Sequence, residues 1–176
     1  FRSKSLFTLT VDSSEQWQVK QGSVTETLEN VERLYFSDVN VALDLNGNAG
    51  FVAKLIGAVF GSDDVYNRQY VGAGLYHLET VGLSRDELVA VAIGAGGMVL
   101  ENYETSLDFY SHLVANLWVN AVGTTITTEL ADPFIEQLTD GRLSVVGIVN
   151  LATETDYNKT QINLSGLASS GIEYLF

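Results

Sequence analysis

The chain has 176 residues, 22 acidic against 9 basic side chains, a formal charge of −13 and no cysteine. That charge disfavours nucleic acid and anionic membrane surfaces as partners, and suits a solvated secreted protein or one that carries calcium on carboxylates. The missing thiols exclude disulfides, zinc–thiolate sites, iron–sulfur clusters and cysteine nucleophiles.

Residues 5 to 11, S-L-F-T-L-T-V, alternate in polarity and predict a strand. D-S-S-E (12–15) is a turn, and W-Q-V (17–19) returns as a partner, so residues 5 to 21 read as a hairpin with a further turn at Gly22-Ser23. Val31 to Phe36 and Val39 to Leu45 predict a third and a fourth strand. Strands this short need a covering surface. The first ten residues are too short in apolar length for a signal peptide. They read as the middle of a strand, and the chain as a piece of a longer protein.

At Asn46-Gly47-Asn48 the period changes. Val52, Leu55, Ile56 and Val59 recur at helical spacing, with Asn48 as N-cap and a stop at Gly61. A second helix is predicted from Asn67 to Thr80, burying Tyr70, Val71, Gly74, Leu75 and Leu78. Ser84-Arg-Asp-Glu87 has the form of a capping box opening a third helix to about Gly94. A fourth runs from Thr105 to Val122, with Leu107, Tyr110 and Trp118 inward. A fifth (Glu129–Thr139) follows a cap at Thr128, and a sixth (to Ala152) follows Ser144. A seventh is predicted over Asn158 to Ser169, ending at Gly171. No apolar run reaches about 18 residues, so no membrane-spanning helix is predicted.

Two blocks of this pattern align. Leu55 to Gly61 lies over Leu117 to Gly123, Leu78 over Leu138, Leu83-Ser84 over Leu143-Ser144, Leu88 over Ile148 and Ala92 over Ala152. Each block is a helix ending in glycine, a second helix, and a third opened by serine. A three-helix unit exposes apolar surface that stacking a second unit covers. The expected class is α+β, mainly α: a β-rich leading segment over 1–45, then about seven helices over 46–176 from two related three-helix units.

The stretch T-L-E-N-V-E-R-L-Y-F-S-D-V-N-V-A-L-D-L (27–45) resembles the β segment that follows calcium-binding nonapeptide repeats in bacterial repeats-in-toxin (haemolysin-type) exoproteins. Leu45-Asn-Gly-Asn-Ala-Gly50 with the helices after it is similar to the helical-repeat domain of those exoproteins and of some surface-layer proteins. The last residues, Gly171 to Phe176, one acid followed by three apolar side chains, are similar to the ends of type I secretion substrates; a final strand is the other reading. The resemblance implies a non-catalytic carboxyl-terminal module of a large secreted, calcium-dependent protein, extracellular or on the surface of a Gram-negative bacterium, serving attachment, assembly or secretion. The family's Arg-x-Pro after the first repeat helix is replaced by Val59-Phe-Gly-Ser-Asp-Asp64, and the calcium-binding nonapeptide is not present.

Candidate metal ligands are Asp44, Asn46 and Asn48, spaced as the first half of a calcium loop, and the pair Asp63-Asp64. Positions six and twelve of such a loop hold Ala49 and Leu55, where glycine and glutamate belong, so a helix cap and turn is the plainer reading. Gly94 to Gly97 lacks the lysine and context of a phosphate loop. His77 and His112 do not have ligand spacing. A polysaccharide-binding accessory domain is the alternative function, with Tyr66, Tyr70, Tyr76, Tyr103 and Tyr110 as an aromatic platform if exposed and coplanar. Self-association into a surface layer is a third.

Overall fold

Helix α1, Asn48–Phe60, sits at the centre of the computed structural model, which describes residues 1–176. Ala49 to Ala53 and Leu55 to Val59 are all buried, because the sequence around this helix is apolar or small on every face. Its one charged residue, Lys54, reaches out to Glu154. Around α1 pack α2 (Arg68–Tyr76), α3 (Arg85–Ala95), α4 (Ser106–Val122), α6 (Val145–Glu154) and α7 (Asp156–Gln161), while α5 (Thr128–Thr139) lies against α4. Gly57 permits the close approach of α7: a Cβ there would stand 2.3 Å from Ile162 and 2.9 Å from the Asn158 side-chain oxygen.

Helices α1–α3 and α4–α6 are punctuated alike. The first helices stop at Gly61 and Gly123, the second start from Asn67 and Thr127, and the third start from Ser84 and Ser144, whose hydroxyls accept from Glu87 and Gly147 N–H. Both second helices are closed by the same bond: Leu83 N–H donates to the His77 carbonyl at 3.0 Å, and Leu143 N–H to Gln137 at 2.9 Å. The offset between units is 62 residues at the glycines (61 to 123) and 60 at the later caps (67 to 127, 84 to 144). The difference lies in the connection after the first helix, five residues (62–66) in one unit and three (124–126) in the other.

Two three-stranded antiparallel sheets flank the helices. β1 (Thr8–Val11), β2 (Trp17–Gln21) and β3 (Val24–Thr27) form a meander with Leu9 opposite Val19 and Val11 opposite Trp17. No residue before Val39 is buried, so this sheet stands at the rim of the core. The second sheet pairs β4 (Arg33–Tyr35) with β5 (Asn40–Ala42), and β5 with β6 (Ile172–Tyr174) from the other end of the chain. The leading segment and the last residues therefore share a sheet across position 45. The last strand is fixed twice more: Leu175 N–H donates to the Arg68 carbonyl at 3.0 Å, and Glu173 takes ion pairs from Lys4 and Arg68.

The α+β, mainly helical class is what the structure shows, with eight helices and six strands. Some expectations are corrected. Val24–Thr27, for which the sequence predicts no element, is a strand. The seventh helix is two, α7 and α8 (Leu164–Ser170), because Asn163 takes a left-handed conformation (φ 51) and caps Gly166. The second helix ends as a π-turn over His77–Val81. Tyr70 and Leu107, expected inside, are exposed, and Phe109 takes the core position on α4. The carboxyl-terminal residues form a strand with Tyr174 wholly buried. No helix is long and apolar enough to cross a membrane.

Candidate functional site

The densest charged cluster is built on Arg33. As the first residue of β4 it points at the turn before α1 and at the π-turn of the second helix. Its guanidinium forms a two-nitrogen pair with Asp44 and a further pair with Glu79, and donates to the Glu32 carbonyl at 2.8 Å. The Arg33 side chain is only 10% exposed and Asp44 11%. Burial opposes the guanidinium charge, but the hydrogen bonds from Asp44 and Glu79 outweigh it and hold the pKa above the ordinary arginine value. The π-turn, a feature frequent at functional sites, is what carries Glu79 to this place.

Three buried atoms in or near this cluster lack a partner: Arg33 Nε, His77 Nδ1 and the Tyr174 hydroxyl. Desolvation, with Tyr35 alongside, pushes the Tyr174 pKa well above the ordinary tyrosine value. The cluster thus joins three elements through one cation and two carboxylates, and a neutral phenol lies behind it. Its geometry is that of an interlock, since the two terminal guanidinium nitrogens meet both carboxylates while Nε is left without a partner.

The five expected calcium ligands are not brought together. Asp44 accepts from Arg33 and from Ala49 N–H at 3.3 Å, and its main-chain carbonyl accepts from Gly47 at 2.8 Å, so it organises the amino end of α1. Asn46 is exposed on that turn and Asn48 is the first residue of α1. Asp63 and Asp64 lie beyond the other end of the same helix, in the 3-10 turn Ser62–Tyr66. A helix of 13 residues puts about 20 Å between the two sets. No three His, Asp or Glu side chains converge as a metal-holding group. His112 is exposed, its Nδ1 3.1 Å from the Asp108 carbonyl, with its ring beside Tyr103.

The five tyrosines divide. Tyr66, Tyr70 and Tyr76 are 58%, 44% and 47% exposed, whereas Tyr103 and Tyr110 are half-buried against Phe109. Tyr70 tilts on Phe60 and Tyr76 stands edge-on to Phe176, so these two exposed rings pack on different neighbours.

Each three-helix unit has an apolar cleft. One, about 190 Å³, lies between α1, α2 and α3; the other, about 210 Å³, lies between α4, α5 and α6 with Tyr157 of α7 at its rim. The sequence did not reveal the Arg33 cluster, whose partners lie 11 and 46 positions away. Nor did it reveal Asn120 and Asn158, whose amides donate to carbonyls of α1. A polar residue at an inward helical position was the available signal for both asparagines. Compared with protein-family models, curated proteins and solved structures, the chain matches none of them.

Proposed function

We propose that this chain is a non-catalytic module of an exported, calcium-dependent bacterial protein, and that it works by attachment, to the cell surface or to copies of itself. The resemblance of residues 27–45 and of the helical region supplies the exported context. The observation that carries the attachment reading is the use made of the buried polar groups. Arg33, Asp44, Glu79, Asn120 and Asn158 each bind one element of the fold to another. The surface is strongly acidic and interrupted by apolar clefts, which suits recognition. In this reading the fold itself does not require calcium, because Asp44 already has a cationic partner and Asp63-Asp64 stand apart from it.

A second reading, a polysaccharide-binding accessory domain, is favoured by the exposure of Tyr66, Tyr70 and Tyr76. One experiment separates the two: co-sedimentation of the chain with protein-stripped bacterial envelopes, beside light scattering, in millimolar calcium and in chelator. Binding or oligomerisation that survives alanine at all three tyrosines supports attachment through the helical surface. Binding lost in that variant supports sugar recognition. A monomer that leaves the envelopes in the supernatant under both conditions overturns the attachment reading. A melt in the same buffers tests the calcium statement. A ligand at a hundred times its dissociation constant adds about 2.7 kcal/mol, a shift of about 5–11 °C at this size; the expected shift is none.

A further inference from the structure

The two clefts occupy the same place in their units. With the first helices set 62 residues apart and the others 60, Leu55 and Leu117, Leu88 and Ile148, and Ala92 and Ala152 line them as pairs. Val52 and Val114 are a fourth pair. Other walls differ: Phe60, Ile56 and Gly74 of the first unit stand where the second has Val122, Trp118 and Phe134. The space is nevertheless similar, at about 190 and 210 Å³.

We propose that the cleft between α4, α5 and α6 is a binding site for a single hydrocarbon chain. Ten of its eleven lining residues are apolar, and none is charged in a protein of net charge −13. The one polar wall, Thr155, is already engaged: its hydroxyl donates to the Ala152 carbonyl at 2.9 Å and accepts from Asn158 N–H at 3.1 Å. The surface that faces the cleft is almost wholly apolar, the remaining polar atoms being the Trp118 indole N–H and the Tyr157 hydroxyl at the exposed rim, so the part of the guest that enters is hydrocarbon. The rim agrees. Leu151 and Tyr157 are 57% and 65% exposed beside it, apolar surface that a guest would cover.

Shape narrows the class further. The α4 wall from Val114 to Val122 spans eight helical rises, about 12 Å, which gives an extended chain a surface to lie along. An apolar cavity of about 150 Å³ takes a benzene ring, so by volume this one takes about eight carbons. Asp156, almost fully exposed next to the rim, is paired with Lys159 at 3.5 Å, so the rim imposes no charge on the head group. The equivalent cleft of the first unit has the His77 ring in its wall, which sets it apart from an all-hydrocarbon channel. The proposal does not depend on the attachment reading.

Trp118 lines the cleft and reports on it once Trp17→Phe has removed the other tryptophan. The intact chain with that change is titrated with n-alkanols from butanol to decanol, following Trp118 emission. Saturable binding is expected, tightening about fourfold per added methylene, as a buried CH₂ predicts, and levelling off near octanol. Leu151→Lys, at the exposed rim, should weaken octanol binding tenfold or more, and Ala152→Leu should abolish it by filling the channel. If Ala152→Leu does not melt cooperatively, Leu151→Lys carries the test. Flotation with neutral phosphatidylcholine vesicles identifies the source: co-flotation that Leu151→Lys removes points to a lipid acyl chain, and alkanol binding without flotation to a free chain. A linear, unsaturable response, or an affinity that both variants leave unchanged, overturns the proposal.

Discussion

The Asn120 side-chain amide donates to the main-chain carbonyls of Val59, at 2.9 Å, and of Ala58, at 3.1 Å, closing from α4 the carboxyl end of α1. Those carbonyls lie in the last turn, where a helix leaves its acceptors without partners. Gln161 does the same for α4, donating to the Val122 carbonyl at 3.1 Å. The chain thus secures each central helix with an amide from a later one. Asn120→Ala should lower stability by about 1–3 kcal/mol, the cost of leaving such acceptors unmet. Urea denaturation checks this: the midpoint falls and the slope is unchanged. An unshifted midpoint would mean that water replaces the amide at no cost.

The last strand depends on a glycine. A Cβ at Gly72 of α2 would fall 1.6 Å from the Leu175 carbonyl oxygen, a backbone atom that cannot rotate away. Gly72→Ala is therefore expected to displace the segment after Tyr174, despite alanine's higher helix propensity, at a cost of about 1–3 kcal/mol. Amide hydrogen exchange gives the sharper readout. Protection at Leu175 should be lost while the α1 amides exchange more slowly than it does.

Arg33 holds two carboxylates, one from each neighbouring element. Arg33→Met should cost about 3–5 kcal/mol, because two partly buried carboxylates are left facing each other. Glu79→Leu added to that variant should recover part of the loss. Asp44→Asn in the native background should cost more than Glu79→Gln, since Asp44 also meets Ala49 N–H. Four denaturation curves decide the order; equal costs for Asp44 and Glu79 would show that the helix contact contributes nothing.

Acid should weaken the fold through named groups. Burial would raise the Glu173 pKa, but the hydrogen bonds and charges of Lys4 and Arg68 outweigh it, leaving the pKa below the ordinary glutamate value. Glu87, bound by the Ser84 N–H and hydroxyl, is lowered as well. A group lowered in the folded state stabilises above its unfolded pKa, about 4.3 for glutamate, and that contribution is lost as the pH falls through the folded value. Melting temperature is therefore expected to drop below about pH 4.3. Glu173→Gln should flatten part of that slope while lowering stability at neutral pH, and an unchanged slope would remove Glu173 from the account.

Alkali should act through Tyr174. Its pKa is raised by burial, so the neutral phenol stabilises the fold below the unfolded value of about 10 and the contribution fades as the pH rises beyond it. The hydroxyl also has no hydrogen-bond partner. Tyr174→Phe should be neutral or stabilising by about 1 kcal/mol at pH 7, and should retain more of its stability at pH above 10 than the native chain. A loss above about 2 kcal/mol at neutral pH would instead reveal a partner for that hydroxyl.

The parts of the fold legible in the sequence are those closed within a few residues. The capping box of Ser84 and Glu87 forms as read, with the Ser84 N–H donating to Glu87 at 2.8 Å. Gly61, Gly123 and Ser144 stop or start helices where periodicity placed them. The misreadings fall where a local pattern had two outcomes. Asn163 could continue a helix or turn left-handed, and Val24 to Thr27 had no apolar alternation to mark a strand. Of the candidate site, only residue identity was legible. Asp44 carries the oxygens of a cation ligand, and the cation that meets it is Arg33.

By itself the sequence determined where most of the helices fall, the Ser84 and Ser144 caps, and the acidic and cysteine-free character, since each follows from side chains within a turn or from composition. Only the tertiary structure decided which carboxylates meet which cations, that residues 40–42 pair with residues 172–174, and that two clefts stay open at equivalent places. The reason is physical. A capping bond has its partner within four residues, whereas a strand edge, a buried charge and a cavity wall are completed by whatever packing brings against them, which no local pattern encodes.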